Sequence, residues 1–294
     1  TVHARPPGVQ DPYRPTTTPT PAPACDEQAS LRPDPLPAPA RMPAGTRMAE
    51  IQNRGRLIVG VGPNYYLLSY WDPYERRIRG FEADIAWELA ASIFGDRDPG
   101  RIQFRVLNPS ERKDALGRGD VDLVIASMTM TCERRSEVTF SAAYGSGGQR
   151  VLVLRDSPAR TITDLKGKRV CASLASTQLP RLAAHPAGLV VVGANNIGDC
   201  VVMLQQRQID AVSTGGNILA GFLKQDRGTR LLDEPPLADE FSAIALAHDG
   251  APELVRFVNA VLERMRADGT WARLYREWLN DVLGPATQPE PRYQ

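Results

Sequence analysis

The sequence predicts an α/β fold, and three observations carry that reading. From about Met48 to Gly284, short β-branched runs alternate with amphipathic stretches, the signature of βαβ units around a mostly parallel sheet. Two distant segments repeat one pattern: Gly119-Asp120-Val121-Asp122-Leu123-Val124-Ile125-Ala126-Ser127 and Arg207-Gln208-Ile209-Asp210-Ala211-Val212-Ser213-Thr214. In each, a helix end and an acidic residue lead into an apolar strand that finishes on small hydroxyl residues. A length of 294 residues is also enough for two domains, each with its own core.

Along the chain, residues 1–46 stand apart, because they hold twelve of the twenty-five prolines. Runs such as Pro19-Thr20-Pro21-Ala22-Pro23 and Pro33-Asp34-Pro35-Leu36-Pro37 favour extended, polyproline-like backbone. This segment reads as a disordered tail or as an extended tether, with folded structure beginning near Met48. Strands are predicted at 57–61, 102–107, 121–126, 151–154, 169–172, 190–192, 210–213 and 243–247. Helices are predicted at 81–94, 197–207 and 253–267, the last stopped by Asp268-Gly269. Asn108 is placed to cap a further helix, with Pro109 at its first position and Glu111 three residues on. Phe81, Trp87 and Leu89 read as the core face of their helix.

Composition excludes several function classes. Thirty-five Lys and Arg against thirty-four Asp and Glu give a net charge of +1, so nothing points to nucleic acid as a partner. Three histidines leave little for a metal site, and neither a metal nor another cofactor is expected. No uncharged apolar run approaches the length of a membrane helix, and the chain starts at Thr1, so any signal or anchor would lie upstream.

Four cysteines allow three disulfide pairings, or none in a reducing compartment. Cys171 and Cys200 fall in one middle stretch, and joining either to Cys132 would staple two lobes across a hinge. The preferred pairs are therefore Cys171–Cys200 and Cys25–Cys132, the second pinning the proline-rich arm. Metal binding is the rival, but the spacings of 107, 39 and 29 contain no C-x2-C pair. Lipidation of Cys25 is a further alternative, although the residues before it lack the apolar core of a signal peptide.

Four stretches carry a family resemblance: Gly55-Arg56-Leu57-Ile58-Val59-Gly60-Val61, Gly80-Phe81-Glu82-Ala83-Asp84, the segment 127–141 (Ser127-Met128-Thr129-Met130-Thr131-Cys132-Glu133-Arg134-Arg135 leading to Val138-Thr139-Phe140-Ser141), and 265–275 with Asp268-Gly269-Thr270-Trp271. Over residues 47–283 the chain resembles the extracellular solute-binding proteins of family 3, the polar amino-acid binders of ABC importers. The likeness is strongest to the glutamine- and glutamate-binding lipoproteins of mycobacteria. The resemblance implies a two-lobed, type II periplasmic-binding-protein-like clamp. Lobe 1 would be 47–143 plus 242–283, lobe 2 would be 149–238, the hinge strands 144–148 and 238–241, and 284–294 a tail. It further implies an extracytoplasmic monomer, anchored by lipid to the cell membrane, that passes a free amino acid to an ABC permease. The same binding event could instead feed a membrane sensor, and a secreted dehydratase is the remote enzyme alternative. An enzyme would need an acid/base pair in the cleft, and His3, His185 and His248 fall in the tail and in loops.

A free amino acid presents a carboxylate and an ammonium, so its site must supply a cation with donors and an anion or acceptors. The resemblance assigns the carboxylate to Arg134, whose fork of parallel N–H groups matches it, helped by Thr129 and Ser127. Ser176 and Thr177, at a helix start, would complete the cradle, with Ser176 as an ordinary N-cap the competing role. Many relatives hold the ammonium with an aspartate one place after Thr214, where this chain has Gly215. Glu82, or carbonyls with Thr214, are the substitutes. Gly62 and Ser173 stand where glutamine binders carry an aspartate and a lysine, so glutamate, aspartate, glutamine and asparagine all stay open. Arg112 would favour an acidic side chain. Trp71 and Tyr65 are candidates for an apolar wall over the ligand.

Overall fold

The computed structural model describes residues 4–15, 24–248 and 251–294. His3 and the proline run 19–23 lie outside the described residues. The chain divides into two compact units. The larger takes in described residues 24–107, 111–146 and the chain from Phe241 on, and the smaller takes in 4–15, 108–110 and 147–240.

In the larger unit, the two-residue strand β1 (Ala29–Ser30) is followed by α1 (Arg47–Arg54), whose N-cap Thr46 accepts from the Ala49 N–H. Next come β2 (Leu57–Val61), the hairpin β3 (Tyr70–Asp72) and β4 (Arg77–Arg79), α2 (Phe81–Phe94) and β5 (Ile102–Val106). The helix predicted from Pro109 begins instead with a 3-10 turn, Pro109–Glu111, and becomes α3 only at Arg112–Gly117. After β6 (Leu123–Ile125) a four-residue helix, α4 (Cys132–Arg135), leads into β7 (Val138–Leu154). This seventeen-residue strand carries the chain from one unit into the other, and the glycines predicted as a hinge lie within it.

The smaller unit then adds β8 (Arg169–Ser173), α5 (Gln178–Ala183), β9 (Val190–Ala194), α6 (Ile197–Gln205), β10 (Ala211–Gly215), α7 (Gly216–Gln225) and β11 (Thr229–Leu231). The returning strand β12 (Asp239–Ala247) leads to α8 (Pro252–Ala267), α9 (Thr270–Trp278), α10 (Asn280–Leu283) and β13 (Arg292–Tyr293).

The path of hydrogen-bonded strands, β5-β2-β6-β12-β7-β10-β8-β9, divides between the units. In the larger, the order is β5-β2-β6-β12, with β2 parallel to β5 and β6 and β12 antiparallel to β6. In the smaller it is β7-β10-β8-β9, with β8 parallel to β10 and β9 and β7 antiparallel to β10. The repeated pattern seen in sequence thus becomes an inner strand of each sheet, β6 and β10. The acid preceding each strand has a structural role: Asp122 accepts the Ile58 N–H at 2.8 Å, and Asp210 accepts the Arg169 N–H at 2.8 Å. Each carboxylate thereby fixes its strand against the neighbouring parallel one. The cores are separate as well, Val124, Met130, Phe140 and Ala245 in one and Val153, Val170, Leu179 and Leu182 in the other.

The N-terminal segment is not a free tether where it is described. Gln10 bridges Gly193 of β9 and the Tyr13 N–H donates to the Val191 carbonyl, so residues 4–15 line the edge of the smaller unit's sheet. Residues 24–46 are built into the larger unit. There β1 pairs with β13, Ser30 Oγ donates to the Phe140 carbonyl, and the buried Asn259 side chain donates to Ser30 Oγ and the Leu31 carbonyl. The same pairing makes residues 292–293 part of the fold rather than a tail. Proline density here reflects extended backbone that finds partners on the surface of each unit.

Disulfides join Cys25 to Cys132, with Cα atoms 5.7 Å apart, and Cys171 to Cys200, at 5.6 Å. Reducing them is expected to lower the melting temperature, at about 2–4 kcal/mol per bridge. Thiols that titrate before reduction would contradict the pairing.

Candidate functional site

The candidate residues of the larger unit gather where β6 runs out. Ser127 has a left-handed backbone, φ 48°, which is costly for a residue with a Cβ and needs fixed partners. Glu82, at the start of α2, supplies them. Its Oε1 accepts the Ser127 N–H at 2.7 Å, the Ser127 hydroxyl at 2.7 Å and the Tyr144 hydroxyl at 2.6 Å. Against the expectation of a ligand contact, Glu82 is fully buried (0% exposed) and holds the loop that carries Ser127. Its Oε2 has no hydrogen-bond partner, and burial pushes its carboxyl above the ordinary carboxylate range despite the opposing hydrogen bonds. Burial beside this carboxylate likewise raises the Tyr144 phenol well above its usual value.

Beyond Ser127 the chain passes through Thr129, a buried residue that bridges Ser242, and reaches α4. The Thr131 hydroxyl caps this helix by accepting the Arg134 N–H at 3.2 Å. Arg134 is half-buried, and its guanidinium turns back to donate to the Thr129 carbonyl at 2.9 Å. A helix of one turn is marginal by itself. Here two side chains clamp it: Cys132 through its disulfide, and Arg135 by donating to the Glu27 and Ala29 carbonyls. The N-terminal arm therefore holds in place the turn that bears Arg134.

Arg112, at the start of α3, is 5% exposed. Its Nη2 donates to the Tyr65 hydroxyl at 3.3 Å, its Nε has no hydrogen-bond partner, and no carboxylate lies within 4 Å among the described residues. A buried guanidinium in that state is a strong attractor of anions. Burial raises the Tyr65 phenol, and Arg112 opposes the shift. The Tyr65 ring also accounts for Gly62, because a Cβ at that position would overlap the ring. Trp71 does not join this group. It sits on the β3–β4 hairpin, 52% exposed, and lines a separate cavity of about 700 Å³ with Trp87, Phe104 and Arg273.

In the smaller unit the residues expected at a helix-start cradle have partners within the protein. Ser176 Oγ, one residue ahead of the N-cap Thr177, accepts the Leu179 N–H at 3.2 Å, and α5 is a single short helix of six residues. The Thr177 hydroxyl donates instead to Glu240 Oε1 at 3.1 Å. Gln178 Nε2 reaches both carboxylate oxygens at 2.8 Å, and Arg181 Nη1 meets Oε1 at 3.0 Å. Arg181 is itself steadied by Gln149, whose amide donates to Ser213. Thr214, also predicted, is buried at the end of β10 beside Gly215.

Sequence reasoning missed Glu240, Gln178, Arg181 and Tyr144. The signal available was weak: Glu240 stands beside Asp239 in a segment read only as a crossing strand.

The comparisons with known proteins agree with this geometry. The sequence profile of the bacterial extracellular solute-binding proteins, family 3, matches residues 57–281. The chain belongs to that family. It is 31% identical over 235 residues to the ABC transporter glutamine-binding protein GlnH of Bacillus subtilis, covering 80% of this chain and 85% of the relative. It is 30% identical over 243 residues to the glutamate-binding protein GluB of Corynebacterium glutamicum, covering 80% and 81%. Among solved structures, an ancestral arginine-binding protein bound to glutamine superposes with a TM-score of 0.69 at 29% identity, covering 79% of this chain and 99% of that one. As in other family 3 proteins, the fold is a mixed α/β arrangement around multi-stranded sheets.

Proposed function

We propose that this family 3 protein captures a polar amino acid, with glutamate and aspartate ahead of glutamine and asparagine, by closure of its two units, and delivers it to an ABC permease. The observation that carries the acidic preference is the pair of guanidiniums in the larger unit. Arg134 is fixed on its turn for the α-carboxylate, and the buried Arg112, which makes no ion pair within 4 Å among the described residues, remains for a second one. Two anionic groups on one small ligand satisfy two arginines, whereas an amide leaves Arg112 without its charge partner. Thr129 and Ser127 lie on the same stretch and add donors for the carboxylate. Tyr65, bonded to Arg112, forms the wall beside the ligand side chain.

The relatives named above are binding proteins, one of them a glutamate binder and one part of an ABC transporter, which supports capture and delivery over catalysis. On this reading the protein works outside the cytoplasm as a lipid-anchored monomer.

A ligand of about ten heavy atoms, at roughly 0.7–1 kcal/mol per atom, gives a Kd from about ten micromolar to tens of nanomolar. A thermal-shift screen of the twenty amino acids tests the reading. At about a hundred times Kd, linkage adds about 2.7 kcal/mol, a rise of roughly 5 °C or more. Glutamate and aspartate are expected to give the largest shifts. No shift with any amino acid would reject capture, and a larger shift with glutamine than with glutamate would reject the role of Arg112.

A further inference from the structure

We infer that Glu240 is the anion that receives the ligand's ammonium, standing in for the carboxylate that Gly215 does not provide. The inference rests on the amino-acid reading above and assigns one residue within it.

Four carboxylates are buried among the described residues: Glu82, Glu88, Asp122 and Glu240. Glu88 pairs with two arginines, Arg97 and Arg264, Asp122 with two, Arg47 and Arg54, and Glu240 with one, Arg181, while Glu82 is sealed against Ser127 and Tyr144. Glu240 alone of the four belongs to the smaller unit, at 6% exposure. Its oxygens are unequal. Oε1 accepts from Thr177, Gln178 and Arg181, whereas Oε2 accepts from Gln178. That leaves Oε2 with lone-pair capacity for another donor.

Oε2 faces the place where a side chain is missing. A Cβ at Gly215 would lie 3.7 Å from Glu240 Oε2 and 2.7 Å from Asn217 Oδ1. Thr214, buried at 5%, is the preceding residue. A buried carboxylate thus lies beside the backbone of Gly215, an acceptor that suits a group with N–H donors. Gly215 is also the N-cap of α7, and the positive end of that helix disfavours a cation unless a full negative charge offsets it. Thr177, Gln178 and Arg181 hold Glu240 in one orientation, so the carboxylate is preset for its partner rather than ordered on binding.

Calorimetric titration of the full chain with L-glutamate and with glutarate, which is glutamate without its amino group, tests this. The wild type is expected to bind L-glutamate at least about 100-fold more tightly than glutarate. Glu240→Gln keeps the shape and removes the charge, and should weaken L-glutamate about 30- to 1000-fold while leaving glutarate within about threefold. Glu240→Asp retains the charge and should keep the preference for L-glutamate even where its affinity falls. Unchanged L-glutamate affinity in Glu240→Gln overturns the inference, as does an equal loss of both ligands, which marks a structural role. A wild type that binds no L-glutamate overturns the amino-acid reading on which the inference stands.

Discussion

Arg134→Ala is expected to abolish amino-acid binding while leaving the ligand-free protein close to its original stability. Removing one partner of a desolvated, hydrogen-bonded charge pair costs about 2–5 kcal/mol, so a micromolar Kd moves to the millimolar range or beyond. The stability effect is small because Arg134 is half-buried and its one-turn helix is fastened to the arm by Cys132 and Arg135. Calorimetric titration with L-glutamate and a thermal melt without ligand separate the two quantities. Arg134→Lys should fall between, since an ammonium restores the charge but not the parallel pair of N–H donors. Retained affinity in the alanine variant would reject the carboxylate role. A fall of more than a few degrees in the ligand-free melt would show that the turn depends on this side chain.

The parts of the molecule legible in the sequence are those with internal periodicity. β2, β8 and α2 are found where β-branched runs and apolar spacing predict them, because each buries most of its residues and so leaves a dense pattern. The strands that escaped are β1, β3, β4, β11 and β13, each two or three residues long, too short to show alternation and defined only by a distant or facing partner. The site divides in the same way. Arg134 was singled out by its motif, and the chemistry proposed for it follows from residue type. Glu240 was not, because its burial arises from Gln178 and Arg181, some sixty positions earlier, and no local pattern records that. Glu82, near the start of α2, is open by sequence to either a ligand-facing or a structural role, and the partners Ser127 and Tyr144 show that it is enclosed.

That enclosure makes Glu82 the second site of large expected effect. Glu82→Ala removes the acceptor of the Ser127 N–H, the Ser127 hydroxyl and the Tyr144 hydroxyl together. Leaving buried donors unsatisfied costs about 1–3 kcal/mol each, and the left-handed Ser127 loses the partners that offset its backbone cost. A loss of about 3–5 kcal/mol is expected from chemical denaturation, with weaker ligand binding because Ser127 shifts. Glu82→Gln keeps an oxygen in place and isolates the charge. The folded carboxyl titrates above its ordinary value of 4.5, owing first to burial. Below that value both states are protonated, and the carboxyl contributes no penalty. As pH rises from 4.5 toward the raised folded value, the unfolded chain releases its proton before the folded one does. The folded state therefore binds more protons in that window, and stability falls as pH increases through it. The wild type should lose stability relative to Glu82→Gln between pH 4.5 and the raised folded value, then run parallel to it. Parallel curves throughout, measured by denaturant unfolding at closely spaced pH, would show that the carboxyl is not held against ionisation. A difference growing in the opposite direction would mean that Arg112 outweighs burial, so that the charged form of Glu82 is the one the fold prefers.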